Sequence, residues 1–294
     1  MFIKYFKPTS IFKRKILIIG ELGMKTKWIL YTVFLFLLFF SEEIYASSES
    51  LVKVESRPGV AQKFILIKPD KPIAAVILFA GGHGGLRLSS LFGEPAMQWG
   101  PKNFLVRTRK LFANHGFLVA VIDAPTDRKK MNAIWRMSQK HAKDILSVIR
   151  TLKKDYDIPV WVVGTSMGTF SAPNAAIRLN SEVDGLVLTS AITRSRKKWT
   201  IYGSHPNGVI DMSLQNITVP TLIVSHRNDK CIITPATDSD SLKKRFEKSK
   251  VVKVLLFNGG KQPISSSCNA LSEHGFYGIE KEVVDSIAQF IKSN

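Results

Sequence analysis

The stretch VVGTSMGTFS, residues 162–171, sets one serine between two glycines directly after an apolar run. Residues 159–163 have the length and composition of a buried strand, and the segment after Ser166 is compatible with a helix. A serine hydroxyl becomes a useful nucleophile when a sharp turn exposes its Oγ beside a base and backbone donors. Such a turn brings strand and helix so close that small residues are needed on either side, and Gly164 and Gly168 meet that need. The pattern predicts a nucleophilic serine, with a serine that merely caps the helix as the alternative.

The remainder of the chain alternates strand-length apolar runs with helical patterns. Further strands are predicted at residues 63–67, 74–79, 117–122, 185–188, 221–224 and 251–257. Helices are predicted at residues 102–115, 137–156, 239–248 and 279–291. This order predicts an α/β fold in which helices cover both faces of a mainly parallel central sheet. Residues 191–219 lack clear periodicity and are the candidate for a small cap.

The amino-terminal segment has a different character. Residues 28–40, WILYTVFLFLLFF, form an apolar block of 13 residues that follows Lys25 and Lys27. A block of this length with a basic flank and a small residue at Ala46 predicts a secretory signal peptide over residues 1–46, for which Met24 is an alternative start. We expect residues 47–294 to form one exported domain, in the periplasm or outside the cell. An uncleaved membrane anchor is the less favoured alternative.

The composition is that of a basic globular protein. The net charge is +19, from 42 lysines and arginines against 23 acidic residues, and 45% of the chain is apolar. The apolar content excludes a disordered chain, and no recognition motif for nucleic acid accompanies the charge. The basic residues are scattered, which favours an ordinary solvated surface and is compatible with association with an anionic envelope surface.

The segment GTSMG, residues 164–168, stands where the nucleophile elbow of the α/β-hydrolase family would, and the sequence resembles that family over nearly all of residues 47–294. The resemblance implies an α/β-hydrolase fold with a small or absent cap. It also implies that an acid and then a histidine follow the serine, each on a loop after a later strand.

Two residues match those positions. Asp229 follows the predicted strand at 221–224 and is the expected acid, with Asp238 and Asp240 further along the same loop. His274 follows the last predicted strand and is the expected general base. The other histidines fit other places, such as a packed helix face or a helix end: His83, His115, His141, His205 and His226.

A glycine-rich stretch, FAGGHGGL at residues 79–86, directly follows the predicted strand at 74–79. The resemblance places one oxyanion donor here, at the N–H of Gly82 or His83, and the second donor at the N–H of Met167. A phosphate-binding loop is the alternative, but the glycine spacing does not fit one. We therefore expect no cofactor, and no metal.

The chain has two cysteines, and both lie near the expected triad. Cys231 comes two residues after Asp229, and Cys268 comes six before His274. A lone pair of cysteines in an oxidising compartment usually bonds to itself. If the triad assembles, a disulfide would join the acid loop to the base loop, with two separate buried thiols as the alternative.

Together these features predict an exported serine hydrolase that cleaves an ester, thioester or amide in a small-molecule or acyl substrate. Ser166, Asp229 and His274 would act through an acyl-enzyme intermediate. Two alternatives stay open at this point. One is a noncatalytic binding protein of the cell envelope, and the other is an acyltransferase that passes the acyl group to an alcohol or amine.

Overall fold

An eight-stranded sheet forms the centre of the protein, in a computed structural model that describes residues 48–294. The predicted signal peptide lies outside the described residues. The sheet strands are β1 (Glu49–Arg57), β2 (Val60–Ile67), β3 (Ala74–Phe79), β6 (Phe117–Ile122), β7 (Val160–Thr165), β8 (Gly185–Thr189), β9 (Thr221–His226) and β10 (Val252–Phe257). Two further strands, β4 (Leu88–Leu91) and β5 (Glu94–Met97), form a separate hairpin.

The strand order is β1-β2-β6-β3-β7-β8-β9-β10. The first two neighbour pairs are antiparallel, and every pair from β6 to β10 is parallel. Parallel strands end at the same edge of a sheet, so the loops after β3, β7, β9 and β10 meet there. That edge carries the segments from which the sequence predicts chemistry.

Helices cover both faces of this sheet. They are α1 (Phe104–Arg107), α2 (Arg109–Asn114), α3 (Ala133–Arg136), α4 (Gln139–Lys153), α5 (Ser171–Arg178), α6 (Ser239–Lys243) and α7 (Glu280–Lys292). Successive strand residues face opposite sides: Ile77 of β3 packs in the cluster that includes α4 and α5, while Val76 packs in the cluster that includes α1, α2 and α7. Burial on both faces explains why these strands read as continuous apolar runs.

The structure departs from the sequence-based prediction at several elements. β1 was not predicted, because its side chains alternate between intermediate burial and exposure at the edge of the sheet. The single helix predicted at 102–115 is wrong: it divides at Thr108, whose hydroxyl donates to the Phe104 carbonyl at 2.7 Å. The helix predicted at 239–248 ends as α6 at Lys243. Pro173 lies in the first turn of α5, where a missing backbone N–H is tolerated.

Residues 191–219 lie on the α5 side of the sheet. Apart from two short 3-10 turns, Gly208–Asp211 and Leu214–Asn216, the segment is irregular. It packs buried Ile201, Val209 and Ile217 into the core cluster of that face. Across residues 48–294, no helix has both the length and the apolar character needed to cross a membrane.

Candidate active site

Ser166 occupies a sharp turn between β7 and α5. It follows the last residue of β7, begins a 3-10 turn that runs to Phe170, and has a φ of +50°. A Cβ on Gly164 would lie 2.5 Å from the Gly168 carbonyl oxygen, and a Cβ on Gly168 would overlap the carbonyl oxygen of Phe79. Both glycines are therefore required for the close approach of the turn to the strands. A serine with a positive φ has a strained backbone, and such strain persists only where the surrounding structure imposes it.

Asp229 and His274 form a buried pair at the same edge of the sheet. Oδ2 of Asp229 lies 3.0 Å from Nδ1 of His274, and the two side chains are 1% and 5% exposed, respectively. The carboxylate also accepts hydrogen bonds from the N–H of Cys231 and the hydroxyl of Thr234, both at 2.9 Å. A carboxylate facing Nδ1 favours the tautomer with its proton there, which leaves Nε2 able to accept a proton.

The backbone around His274 is fixed by contacts to other elements. The Ser190 hydroxyl donates to the His274 carbonyl at 2.8 Å, and the Arg107 guanidinium donates to the Gly275 carbonyl at 2.5 Å. Arg107 is itself held by Glu280 at 2.9 Å. Phe276, with a φ of +56°, packs its buried ring against Phe104 with 4.9 Å between centroids. The histidine loop is thus anchored to β8, α1 and α7.

A disulfide joins the loops that carry Asp229 and His274. Cys231 and Cys268 are bonded, with their Cα atoms 4.7 Å apart. The N–H of Cys231 donates to the Asp229 carboxylate, while Cys268 lines the cavity that Ser166 and His274 share. The bond limits how far the Asp229 loop can move from the loop before His274.

Ser166 and His274 line one cavity of about 470 Å³. Its walls come from the glycine loop, from residues 98–104, from the turn at Ser166 and from residues 264–275. Apolar walls include Trp99, Phe104 and Leu271, and the polar ones include Asn103. The Oδ1 atom of Asn103 is buried and has no hydrogen-bond partner among the described residues. The Asn103 Nδ2 and the Ser166 Cβ both lie within 3.3 Å of the point where a Cβ on Gly81 would sit.

Comparisons with known proteins address the fold. No protein-family model and no curated protein matches the sequence. Among solved structures, Est1E from Butyrivibrio proteoclasticus matches with a TM-score of 0.56 and 15% identity, covering 83% of this chain and 98% of that one. Dienelactone hydrolase from Anabaena variabilis matches with a TM-score of 0.56 and 16% identity, covering 84% and 97%. An alpha-beta serine hydrolase homologue from Coxiella burnetii matches with a TM-score of 0.54 and 15% identity, covering 83% and 98%.

The chain has the α/β-hydrolase fold. This confirms the predicted fold class, including a mainly parallel sheet covered by helices on both faces. The identities are low, so the likeness concerns architecture. The chemistry of the site depends on its own residues, because one fold serves many activities.

The glycine loop, residues 79–86, lies beside the turn at Ser166, since a Cβ on Gly81 would come 3.0 Å from the Ser166 Cβ. Gly82, with a φ of +56°, lines the cavity, and a Cβ on it would come 2.8 Å from the Trp99 ring. The His83 ring stacks on Trp99 with 3.9 Å between centroids, and its Nδ1 accepts the N–H of Gly85. Burial, with nearby Lys130, lowers the pKa of His83, in keeping with a neutral ring. Within residues 48–294, the N–H groups of Gly82 and His83 have no protein acceptor. The oxyanion roles of Gly82, His83 and Met167 stay predictions.

The alternative acids lie elsewhere. Asp238 accepts hydrogen bonds from the Thr193 hydroxyl at 2.8 Å and from the Arg194 guanidinium at 2.9 Å. Burial would raise the pKa of Asp238, but Arg194 and Thr193 lower it below its usual value. Asp240 is exposed on α6. Of the acids that sequence reasoning left open, Asp229 is the one in contact with His274.

Several supporting residues were missed by the sequence analysis. Asn103, Ser190 and Arg107 carry no spacing signal, because their roles depend on contacts between distant segments of the chain. Thr234 is the exception that could have been suspected, since it lies five residues after Asp229 in the same loop.

The donor set at the site does not suit a metal ion. Ligand atoms of Asp229, Cys231 and His274 lie within 4.8 Å of one another. The Cys231 sulfur is bonded to Cys268, and the carboxylate is already shared by His274, Thr234 and a backbone N–H. A disulfide sulfur is not the thiolate that binds a metal ion.

Proposed function

We propose that the protein is a serine hydrolase that cleaves ester, thioester or amide bonds through Ser166, His274 and Asp229. The observation that carries the proposal is the shared cavity. A serine at a positive-φ turn and a histidine hydrogen-bonded to a buried carboxylate face the same space. Nucleophile, base and orienting acid are the three parts that acyl transfer from serine requires.

In the proposed reaction, Nε2 of His274 takes the proton of the Ser166 hydroxyl as Oγ attacks the substrate carbonyl carbon. Asp229 stabilises the resulting imidazolium through Nδ1. The oxyanion accepts hydrogen bonds from the N–H of Met167 and from the glycine loop. His274 then gives its proton to the leaving alcohol, thiol or amine. Water, activated by His274 in the same way, attacks the acyl-enzyme and releases the acid.

The cavity supports a small substrate with an apolar part. Trp99, Phe104 and Leu271 provide apolar surface, and a volume of about 470 Å³ is within the range of small-molecule sites. Two structural neighbours are described as esterases, and one of them is a highly thermostable carboxyl esterase from Bacillus coagulans. That description belongs to those proteins, and it makes esters the first class of substrate to test here.

We also propose that the protein works outside the reducing cytosol. The Cys231–Cys268 disulfide supports this location, because structural disulfides form and persist in oxidising compartments. The predicted signal peptide at residues 1–46 would direct the domain there.

The proposal is tested by turnover of chromogenic acyl esters and aminoacyl anilides by the domain of residues 47–294. Ser166→Ala and His274→Ala should each lower kcat by a factor on the order of 10⁴ or more while the fold is retained. Ser241→Ala, at an exposed serine on α6, is the matched control and should hydrolyse at the wild-type rate. Hydrolysis that survives in Ser166→Ala, or no hydrolysis across the panel, would count against the proposal.

A further inference from the structure

Arg136 is a fully buried cation next to the glycine loop. Its relative exposure is 0%, and in the described part of the chain no carboxylate lies within salt-bridge distance of it. Instead, Nη2 donates to the carbonyl oxygens of Ala80 at 3.0 Å and Gly82 at 3.3 Å, Nη1 donates to the Ser171 hydroxyl at 2.9 Å, and Nε donates to the Met131 carbonyl at 3.4 Å. Burial lowers the pKa of Arg136 to about 9, which still leaves it charged at neutral pH. A buried charge without an anionic partner is costly and calls for an explanation.

The hydrogen bonds of Arg136 fix the orientation of the glycine loop. A peptide unit is planar, with its C=O and the following N–H pointing in opposite directions. Because the Ala80 and Gly82 carbonyls point at the guanidinium, the N–H groups of Gly81 and His83 point away from it. Neither N–H has a protein acceptor within residues 48–294.

The guanidinium of Arg136 fills the space next to the glycine loop. Gly84 has a φ of +66°, and a Cβ on it would overlap Nη2 of Arg136. The Ser171 hydroxyl, which accepts from Arg136, lies 3.0 Å from Nε2 of His141. Since Arg136 can only donate, the Ser171 proton is free to go to Nε2 of a neutral His141. Burial and the nearby charge of Arg136 lower the pKa of His141 to about 3. Among the three hydrogen-bonded side chains of Arg136, Ser171 and His141, the arginine therefore carries the positive charge.

Arg136 therefore connects the two halves of the predicted oxyanion site. On one side it holds the glycine loop, and on the other it is bonded to Ser171, the first residue of the helix that follows the nucleophile turn. We propose that Arg136 is a positioning residue for the oxyanion site: it turns the His83 N–H toward the cavity and places a positive charge behind the peptide that receives the developing negative charge. The proposal rests on the proposed function. Of the two expected glycine-loop donors it favours His83, because Arg136 contacts the carbonyl of the peptide that carries the His83 N–H and not that of the peptide that carries the Gly82 N–H.

The proposal predicts that removing Arg136 weakens stabilisation of the transition state and leaves substrate binding nearly unchanged. Preorganised donors and charges act where negative charge develops, so they raise kcat and leave ground-state binding nearly unchanged. Arg136→Met should lower kcat for a chromogenic ester on the order of 30-fold, with KM within about twofold of wild type. Arg136→Lys keeps the charge but not the fork of donors, and it should recover part of the lost rate.

The experiment normalises activity to working sites. Wild type and variants are titrated to completion with a fluorophosphonate, and kcat is expressed per titrated serine. Inhibition by phenylboronic acid, which forms an anionic tetrahedral adduct with a serine, is measured alongside. We expect the inhibition constant to rise in Arg136→Met by about the same factor as kcat falls.

The matched control is Gln62→Met. Gln62 is also 0% exposed and its side chain also donates to backbone carbonyls, those of Lys63 and Asp123, but to none in the glycine loop. It should lose stability and keep its kcat per titrated serine. If Arg136→Met does not fold, Arg136→Lys decides: a fall of about threefold or more in kcat per site at unchanged KM supports the proposal.

An unchanged kcat per titrated serine in Arg136→Met or Arg136→Lys would overturn the inference, as would a rise in KM alone or an equal loss in Gln62→Met. Failure of the proposed function looks different, because the wild-type protein would then react with neither the ester nor the fluorophosphonate.

Discussion

Removing the disulfide should weaken the fold and loosen the acid loop. In a double variant with Cys231→Ala and Cys268→Ala, the unfolded chain regains the freedom of a loop whose ends are 37 residues apart. Loop-closure entropy for that length corresponds to about 4 kcal/mol at 25 °C. Domains of this kind have total unfolding free energies of roughly 5–15 kcal/mol, so the loss is a large fraction of the whole. Activity should fall as well, because without the disulfide the backbone at residue 231 is less constrained, and its N–H holds a carboxylate oxygen of Asp229.

The assay is urea unfolding followed by tryptophan fluorescence, with and without dithiothreitol. The untreated double variant should unfold at a clearly lower urea concentration than the untreated wild type. Dithiothreitol should bring wild type down to the level of the variant and leave the variant unchanged. Identical unfolding curves for oxidised wild type and double variant would refute the reasoning. So would two free thiols in the denatured, unreduced domain.

Three further predictions concern single residues. Thr234→Val removes a hydroxyl that is hydrogen-bonded to Asp229 and should lower kcat for ester hydrolysis about tenfold. A variant that turns over at the wild-type rate would contradict this. Gly168→Ala drives a Cβ into a strand carbonyl and should lower the unfolding free energy on the order of 3 kcal/mol. Gly203→Ala, where a Cβ meets nothing within 4 Å, should change it by less than about 0.5 kcal/mol, and equal effects in the two would rule out the packing argument. Asp238 has a lowered pKa, so its contribution to stability is full above its ordinary pKa and is lost as the pH falls through the lowered value. The free energy of unfolding, measured between pH 7 and pH 3, should therefore fall less steeply with decreasing pH in Asp238→Asn than in wild type. An unchanged slope would contradict this.

The sequence predicts the centre of the fold because those residues have one strong pattern. β3, β6 and β7 are buried on both faces, and their apolar runs are unbroken. The edge strand β1 was missed for the opposite reason, since its mixture of lysine, glutamate and valine fits a partly exposed surface. The helix predicted at 102–115 is interrupted at Thr108, whose hydroxyl donates to the backbone carbonyl four residues earlier. The spacing of apolar residues does not predict such a hydrogen bond.

The site divides in a similar way. That Ser166, Asp229 and His274 follow β7, β9 and β10 could be predicted from the apolar runs and the family resemblance, because parallel strands end at the same edge of a sheet. The groups that hold them could not. Thr234 and Arg136 act through contacts to carboxylate or carbonyl groups that folding brings near them. Buried arginine without an acidic partner is also rare enough that sequence reasoning treats it as a surface residue.

The most direct test of the central claim is the reactivity of one hydroxyl. The domain is treated with a fluorophosphonate, and the modified residue is located by mass spectrometry of its peptides. The account predicts an adduct on Ser166 in wild type, none in Ser166→Ala, and labelling slowed by a factor on the order of 100 or more in His274→Ala. An unlabelled wild-type Ser166, or labelling in His274→Ala at the wild-type rate, would contradict it.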